Sequence, residues 1–185
     1  MALDNEEADL FPSSLLGMDA CGRSDRRWWV LCTKGQLEKA LAQELFAKNI
    51  PFTLPLAEKT SFYLGRTITL RLPLFPRRVF ILANEDERDF ALATCYVLRS
   101  LPVHNQGSLY RELRHLRRLL ASGKSVAVER RMLSGPQVRV GSGPLEGVEG
   151  RVLDHHGHAR LVVGISCLNC GVSIEVEEPM LQRID

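Results

Sequence analysis

The chain lacks any apolar run of the roughly 20 residues that a membrane-spanning helix needs. Its first residues, MALDNEEADLFPSSLLGM, are acidic and lack the basic segment that begins a secretory signal peptide. Cysteines are few, five in 185 residues. These absences disfavour a disulfide-stapled secreted domain, so we expect a cytoplasmic chain whose cysteines are reduced thiols.

Catalytic and metal-binding motifs are also scarce. No glycine-rich loop ends in Gly-Lys-Ser or Gly-Lys-Thr, and no Ser/His/Asp arrangement can be placed. His155, His156 and His158 precede Cys167 and Cys170 at a spacing that resembles a zinc site. A strand of about eight residues, roughly 25 Å long, separates the two groups, which is too far for ligands of one ion. We therefore expect no metal, no cofactor and no catalytic residues.

The net charge of +2 is unevenly distributed. Residues 1–20 carry five acids and no Lys or Arg, and residues 138–185 carry seven acids against four Lys or Arg. The positive surplus therefore lies in residues 21–137. This division favours a middle segment that meets nucleic acid and a C-terminal segment that meets a protein. A solvated surface rich in arginine is an equally good explanation of the middle segment.

The most distinctive stretch is VRVGSGPLEGVEGRV, at 138–152. Its valines alternate with polar or glycine positions, as in half-buried strands, and its glycines and proline indicate a tight turn followed by a bulge. The GPxxGxxGxV spacing resembles a KOW motif at the head of an SH3-like barrel. The alternative is an ordinary barrel with a glycine-rich turn. Valine and isoleucine dominate the later strands, so we expect a β-barrel that does not refold into helices. The strands are predicted near 137–140, 147–153, 159–166, 171–177 and 181–184.

The preceding part of the chain reads as alternating strands and helices. WWVLCT, at 28–33, is apolar on both faces and predicts a central strand, and the leucines of 36–48 recur every four residues, as in a helix. Further elements are expected at 52–56, 61–72, 74–82, 85–93, 95–98 and 108–120. The order β-α-β-β-α-β predicts a ferredoxin-like α+β domain. The predicted domains are a disordered leader at 1–26, the ferredoxin-like domain at 27–121, a linker at 122–136 and the barrel at 137–185.

The order of these pieces resembles the NusG family. RWWVLCTKGQLEKA is similar to the opening of the NusG N-terminal (NGN) domain, LPLFPRRVFI to its FPGYVFV strand, and a KOW barrel follows. The GQLEKA and LPLFP details look more like the specialised RfaH-like antiterminator paralogs than like housekeeping NusG. The resemblance implies a transcription elongation or antitermination factor. Its N-terminal domain would dock on the clamp helices of RNA polymerase, and its barrel would recruit Rho or the ribosomal protein NusE.

The resemblance also implies which residues bind. Phe75, Pro76 and Phe80 match the apolar clamp-binding patch, and Cys32 falls where RfaH-like proteins often place a tyrosine. Arg77-Arg78 replaces the family's Gly/Asn-Tyr, and Arg78 retains a guanidinium plane that can stack or pair with an acid.

Two further sets of residues complete the expected sites. Lys34 and Gln36 match positions that RfaH-like relatives use against the non-template DNA strand, although a solvated turn explains them equally well. The partner-binding KOW loop is represented by Gly143, Pro144, Leu145 and Gly147. The chain is expected to act as a monomer. The leading alternative is a KOW-containing RNA- or ribosome-binding protein, and an enzyme is the least favoured reading.

Overall fold

The structure is a computed structural model that describes residues 9–17, 25–63, 66–130, 135–155 and 158–184. Its mixed α/β chain forms two compact units, Met1–Gln106 and Gly107–Asp185. No helix in these described ranges is both long and apolar enough to cross a membrane. The boundaries expected at 121 and 137 remain predictions.

The first unit contains a five-stranded antiparallel sheet in the order β1-β3-β6-β2-β7, two helices and a separate hairpin of β4 and β5. Its elements are β1 (Leu10–Phe11), β2 (Arg27–Thr33), α1 (Glu38–Ala47), β3 (Phe52–Thr53), β4 (Leu56–Tyr63), β5 (Arg66–Pro73), β6 (Arg78–Ala83), α2 (Glu85–Ala93) and β7 (Val97–Pro102).

One face of this sheet forms a core with the helices. Trp29 and Leu31 of β2 and Ile81 of β6 are buried in one cluster with Leu41 and Leu45 of α1. Successive side chains of a strand point to opposite faces, so Trp28, Val30 and Cys32 of β2 lie on the other face. The strand WWVLCT is buried on both faces, as its sequence predicted.

The second unit contains a long helix and a six-stranded antiparallel sheet in the order β13-β9-β10-β11-β12-β8. Its elements are α3 (Gln106–Ala121), β8 (Ala127–Glu129), β9 (Gln137–Val140), β10 (Glu149–His155), β11 (His158–Ile165), β12 (Cys170–Glu175) and β13 (Leu181–Arg183), with single 3-10 turns at Ser166–Leu168 and Glu178–Met180. The first residue of α3, Gln106, is also the last residue of the first unit. The buried stripe of α3 ends at Leu119, where the sequence suggested Leu120.

Residues 9–17 depart from the disordered leader expected at 1–26. Leu10 and Phe11 form β1 and pair with Thr53 and Phe52 of β3. The Phe11 ring lies 4.9 Å from the Phe46 ring and 6.5 Å from the Phe52 ring, centroid to centroid. The segment is ordered because a few apolar side chains find partners far along the chain, which no local periodicity reveals.

Two further expectations are modified. Within the predicted linker 122–136, β8 pairs with β12 through three residue pairs, so this stretch is partly a strand. Helix α3 begins at Gln106, two residues before the expected cap Ser108. Gln106 is the last residue of the first unit. Its side-chain amide donates to the carbonyl of Trp28 at 3.1 Å and accepts from the N–H of Trp28 at 2.5 Å.

Candidate docking face and glycine turn

A tight turn before β6 presents the predicted polymerase-contact residues. The N–H of Arg78 donates to the carbonyl of Phe75 at 3.1 Å, and Arg77 adopts the left-handed backbone region at φ +62°. The carbonyl of Arg77 accepts the N–H of Thr33 at 3.2 Å, which ties the turn to the end of β2. The strand predicted over 74–82 therefore begins only at Arg78, because the left-handed residue interrupts extended backbone.

The buried carboxylate of Glu38 stabilises this turn, a role that the sequence did not predict. Its side chain is only 3% exposed, and its carboxylate accepts the backbone N–H of Arg77. A buried carboxylate needs such a partner, and a buried N–H needs an acceptor. The only signal in the sequence is an acid in the first turn of α1, which is ordinarily solvent-exposed.

The register brings the predicted patch together. Cys32 lies opposite Arg78, and Val30 opposite Phe80, so these four side chains share one sheet face. The ring of Phe75 meets the ring of Phe80 edge to face, with centroids 6.1 Å apart. Four of the five predicted polymerase-contact residues therefore form one cluster, and the fifth, Pro76, lies in the adjoining turn.

Burial divides that cluster into two groups. Cys32, Phe75 and Phe80 are 4%, 5% and 0% exposed, so they are part of the packed interior. Pro76 is exposed and Arg78 is half-buried. The surface available to a partner at this turn is therefore a proline beside arginines, and the aromatic residues support it from within.

Lys34 and Gln36 lie exposed at the same end of β2. The N–H of Lys34 donates to the carbonyl of Tyr96 at 2.8 Å, and the adjacent Thr33 bonds the 75–78 turn. Gly35 takes a positive φ of +49° between them. This end of the first unit consequently carries exposed cations from two segments that are far apart in sequence.

The strain at Arg77 gives a testable stability effect. A non-glycine residue in the left-handed region costs about 1–2 kcal/mol, and the exposed Arg77 side chain makes no hydrogen bond or ion pair among the described residues. We expect Arg77→Gly to raise the free energy of unfolding by about 1 kcal/mol. Arg99→Gly, at an exposed interior position of β7, is the matched control and should lower it. Urea unfolding measures both, and a loss of stability in Arg77→Gly would contradict the assignment of strain.

The glycine turn of the second unit connects β9 to β10. Gly143 and Gly147 have positive φ angles of +84° and +78°. The N–H of Gly147 donates to the carbonyl of Val140 at 2.7 Å, and the N–H of Val140 donates to the carbonyl of Val148 at 2.9 Å. Leu145 is buried at 5% exposure and anchors the turn, whereas Gly143, Pro144 and Gly147 are exposed. The predicted partner-binding residues thus form one rigid turn with an internal anchor.

The Cys167-x-x-Cys170 pair shows no sign of redox activation. Partial desolvation, aided by the Glu112 carboxylate, raises the pKa of the Cys167 thiol to about 12, although the residue touches solvent. A thiol with so high a pKa is a poor nucleophile at neutral pH. The side chains of His155, His156 and His158 lie outside the described residues, so the absence of a zinc site there remains a prediction from the sequence.

Comparisons with known proteins add little. No family model matches the chain, and no curated protein matches it. Among solved structures, the chain is similar to one described as "Domain interaction in Thermotoga maritima NusG", with 18% sequence identity and a TM-score of 0.43, over 86% of this chain and 98% of that one.

Proposed function

We propose that the chain is a transcription elongation or antitermination factor of the NusG type. Two motifs in the right order support this: the LFPRRVF segment leading into β6 and the GPxxGxxGxV turn between β9 and β10. The observation that carries it is the 75–78 turn, which Glu38 and Thr33 hold rigidly while Pro76 and Arg77 stay exposed. A rigid, exposed turn on a packed sheet is suited to docking on a preformed partner.

A ferredoxin-like first domain and an SH3-like second domain belong to the same proposal. The sheet order β3-β6-β2-β7, with α1 following β2 and α2 following β6, supports the first. Consecutive antiparallel pairing from β9 to β12 supports the second. The proposed protein is a cytoplasmic monomer that makes and breaks no bond.

The first unit would contact the clamp helices of RNA polymerase through the exposed turn. Its arginines favour acidic groups on the polymerase, and the Arg78 guanidinium can also stack on an apolar surface. Lys34 and Gln36, at the same end of β2, would lie toward the non-template DNA strand. The buried Cys32, Phe75 and Phe80 would set the position of the turn.

The second unit would recruit a protein through the glycine turn, with Rho and NusE as the proposed partners. Because Leu145 and the turn's internal hydrogen bonds fix Gly143 and Pro144, this loop loses little conformational entropy on binding. Acidic residues outnumber basic ones over 138–185, which favours a protein partner for the sheet as a whole.

Capture of core RNA polymerase by the full chain tests the proposal. Arg77→Glu/Arg78→Glu reverses the charge of the turn without touching a buried side chain, and we expect it to weaken capture on the order of tenfold or more. Arg130→Glu/Arg183→Glu makes the same charge change at exposed sites of the second unit and should capture normally.

Three outcomes are distinguishable. Selective loss in the Arg77/Arg78 variant supports docking through the turn. Equal capture by all three proteins rules the turn out as the contact. A folded wild-type chain that fails to capture polymerase but sediments with ribosomes or RNA instead supports the alternative, a KOW-containing RNA- or ribosome-binding protein.

A further inference from the structure

An open groove of about 420 Å³ runs through the second unit between α3 and the strands β9 to β11. One side of α3, at positions spaced as neighbouring turns of a helix, forms one wall. The lining residues are Ser108, Arg111, Glu112, His115, Gln137, Glu149, Gly150, Arg151, Val162, Val163 and Gly164. None of the functions proposed above uses this groove.

Helix α3 is hydrogen-bonded at two positions beside the groove, to the turn after β11 and to β10. The Glu112 carboxylate accepts the N–H of Ser166 at 3.0 Å and also accepts its hydroxyl. His115 Nδ1 lies 3.4 Å from the N–H of Glu149, which donates to it. These contacts make the groove a preformed feature of the unit.

The acidic groups of the groove are already engaged. Glu112 accepts both bonds from Ser166, and Glu149 accepts two guanidinium bonds from Arg139, at 3.0 and 2.6 Å. Desolvation by burial lowers the pKa of His115, which therefore stays neutral at neutral pH. Arg139 balances the charge of Glu149, whereas Glu112 keeps its negative charge. Arg111 and Arg151 therefore leave the groove with a surplus of one positive charge.

The basic groups of the groove have no acidic partner among the described residues. Within the described part of the chain, the one hydrogen bond of the Arg111 side chain is to the Ser108 hydroxyl, at 3.4 Å, and Arg151 donates one bond to the carbonyl of Gly135, at 2.7 Å. Each guanidinium carries five N–H donors, so most of them remain for a ligand. Arg118, two turns after Arg111 on α3 and also exposed, extends the basic row by about 10 Å.

We propose that this groove binds the phosphodiester backbone of a nucleic acid, with Arg111 and Arg151 as the phosphate-binding side chains. Planar guanidinium groups recognise phosphate oxygens through paired hydrogen bonds. A row of cations that continues along α3 fits a chain of phosphates better than a single free anion. The contact reads the backbone and not the base sequence. It goes beyond the proposed polymerase docking, which involves only the first unit.

Fluorescence anisotropy of the full chain with a labelled mixed-sequence RNA of about 20 nucleotides tests the groove. We expect Arg111→Gln/Arg151→Gln to weaken binding on the order of tenfold and to lower the slope of log affinity against log salt by about two. Arg130→Gln/Arg183→Gln, which removes two exposed charges elsewhere in the same unit, should bind like the wild type. Inorganic phosphate, assayed by thermal shift, separates a free-anion site from a polymer site.

Loss of affinity confined to the groove variant supports the proposal. Equal weakening of RNA binding by both double variants would mean that net charge, and not the groove, sets the affinity, and would contradict the proposal. Absence of RNA binding by the wild type at low salt would also overturn the proposal. Stabilisation by millimolar phosphate without any RNA binding would also overturn it, because the ligand would then be a small anion. The assay contains no polymerase, so its failure and the failure of the docking proposal are independent.

Discussion

Phe80→Ala is expected to lower the free energy of unfolding of the first unit by about 3–5 kcal/mol. Phe80 is 0% exposed, lies opposite Val30 in β2 and meets the ring of Phe75 edge to face at 6.1 Å. Truncation to alanine removes the transfer free energy of the ring and leaves a cavity in a close-packed region. This is the largest effect we expect from any residue of the candidate docking face.

Urea unfolding followed by tryptophan fluorescence measures the effect in the right unit. Both tryptophans of the chain, Trp28 and Trp29, lie in β2 beside the strand that carries Phe80. Lys34→Ala, at an exposed position at the end of β2, is the control and should stay within about 0.5 kcal/mol of the wild type. A Phe80→Ala protein as stable as the control would show that the ring is not packed as described.

This expectation changes how the docking proposal has to be tested. Loss of polymerase capture by a Phe75 or Phe80 variant would report unfolding as readily as lost contact. The exposed Arg77 and the half-buried Arg78 reduce that ambiguity because neither side chain belongs to the packed interior. Interface arguments that start from an aromatic motif therefore need the burial of each ring before a variant is chosen.

The sequence predicted the regular elements of the first unit well where one signal dominated. The apolar character of both faces of WWVLCT predicted a strand, and the leucine spacing of α1 predicted a helix, each close to the observed bounds. The charged run at 85–93 is a helix because Asn84 and Glu87 cap it reciprocally, at 2.9 and 3.0 Å. An asparagine followed three residues later by glutamate is a readable start signal.

What the sequence could not give depended on distant parts of the chain. β8 is a strand because it pairs with β12, more than forty residues later. The 75–78 turn interrupts a run that looks extended, because Glu38 and Thr33 hold Arg77 in a left-handed conformation. Local propensity contains neither partner, so these features emerge only when the chain is folded.

The candidate site, too, was predictable only where local sequence determines it. Strand period and register explain why Cys32, Arg78 and Phe80 share a face, and the motif alone located them. The apolar character of both faces of WWVLCT predicted the burial of Cys32. Period does not say which face of β6 becomes covered, so the burial of Phe80 could not be predicted. The phosphate-binding role proposed for Arg111 and Arg151 likewise depends on a groove between a helix and strands that no spacing in the sequence connects.

Gly150→Ala is the second large effect we expect, a loss of about 3 kcal/mol in the second unit, at the upper end of the range for overpacking. A Cβ at Gly150 would lie 2.4 Å from the carbonyl oxygen of Val162 and 3.0 Å from a methyl of Leu161. The nearest atom belongs to the backbone of β11, which pairs with β10 over five residue pairs and cannot move alone. Glycine is therefore required here by close approach of two strands and not by an unusual backbone angle.

Gly107→Ala is the matched control because it adds the same methyl group where nothing lies within 4 Å. Gly107 is exposed in the first turn of α3, so alanine there should stabilise the helix by about 0.5–1 kcal/mol. Native-state hydrogen exchange of β10 and β11 peptides reads both changes within the second unit. Faster exchange in Gly150→Ala, with unchanged or slower exchange in Gly107→Ala, is the expected result. Equal protection in the two variants would mean that β10 and β11 approach less closely than described, and the groove formed beside them would lose its fixed wall.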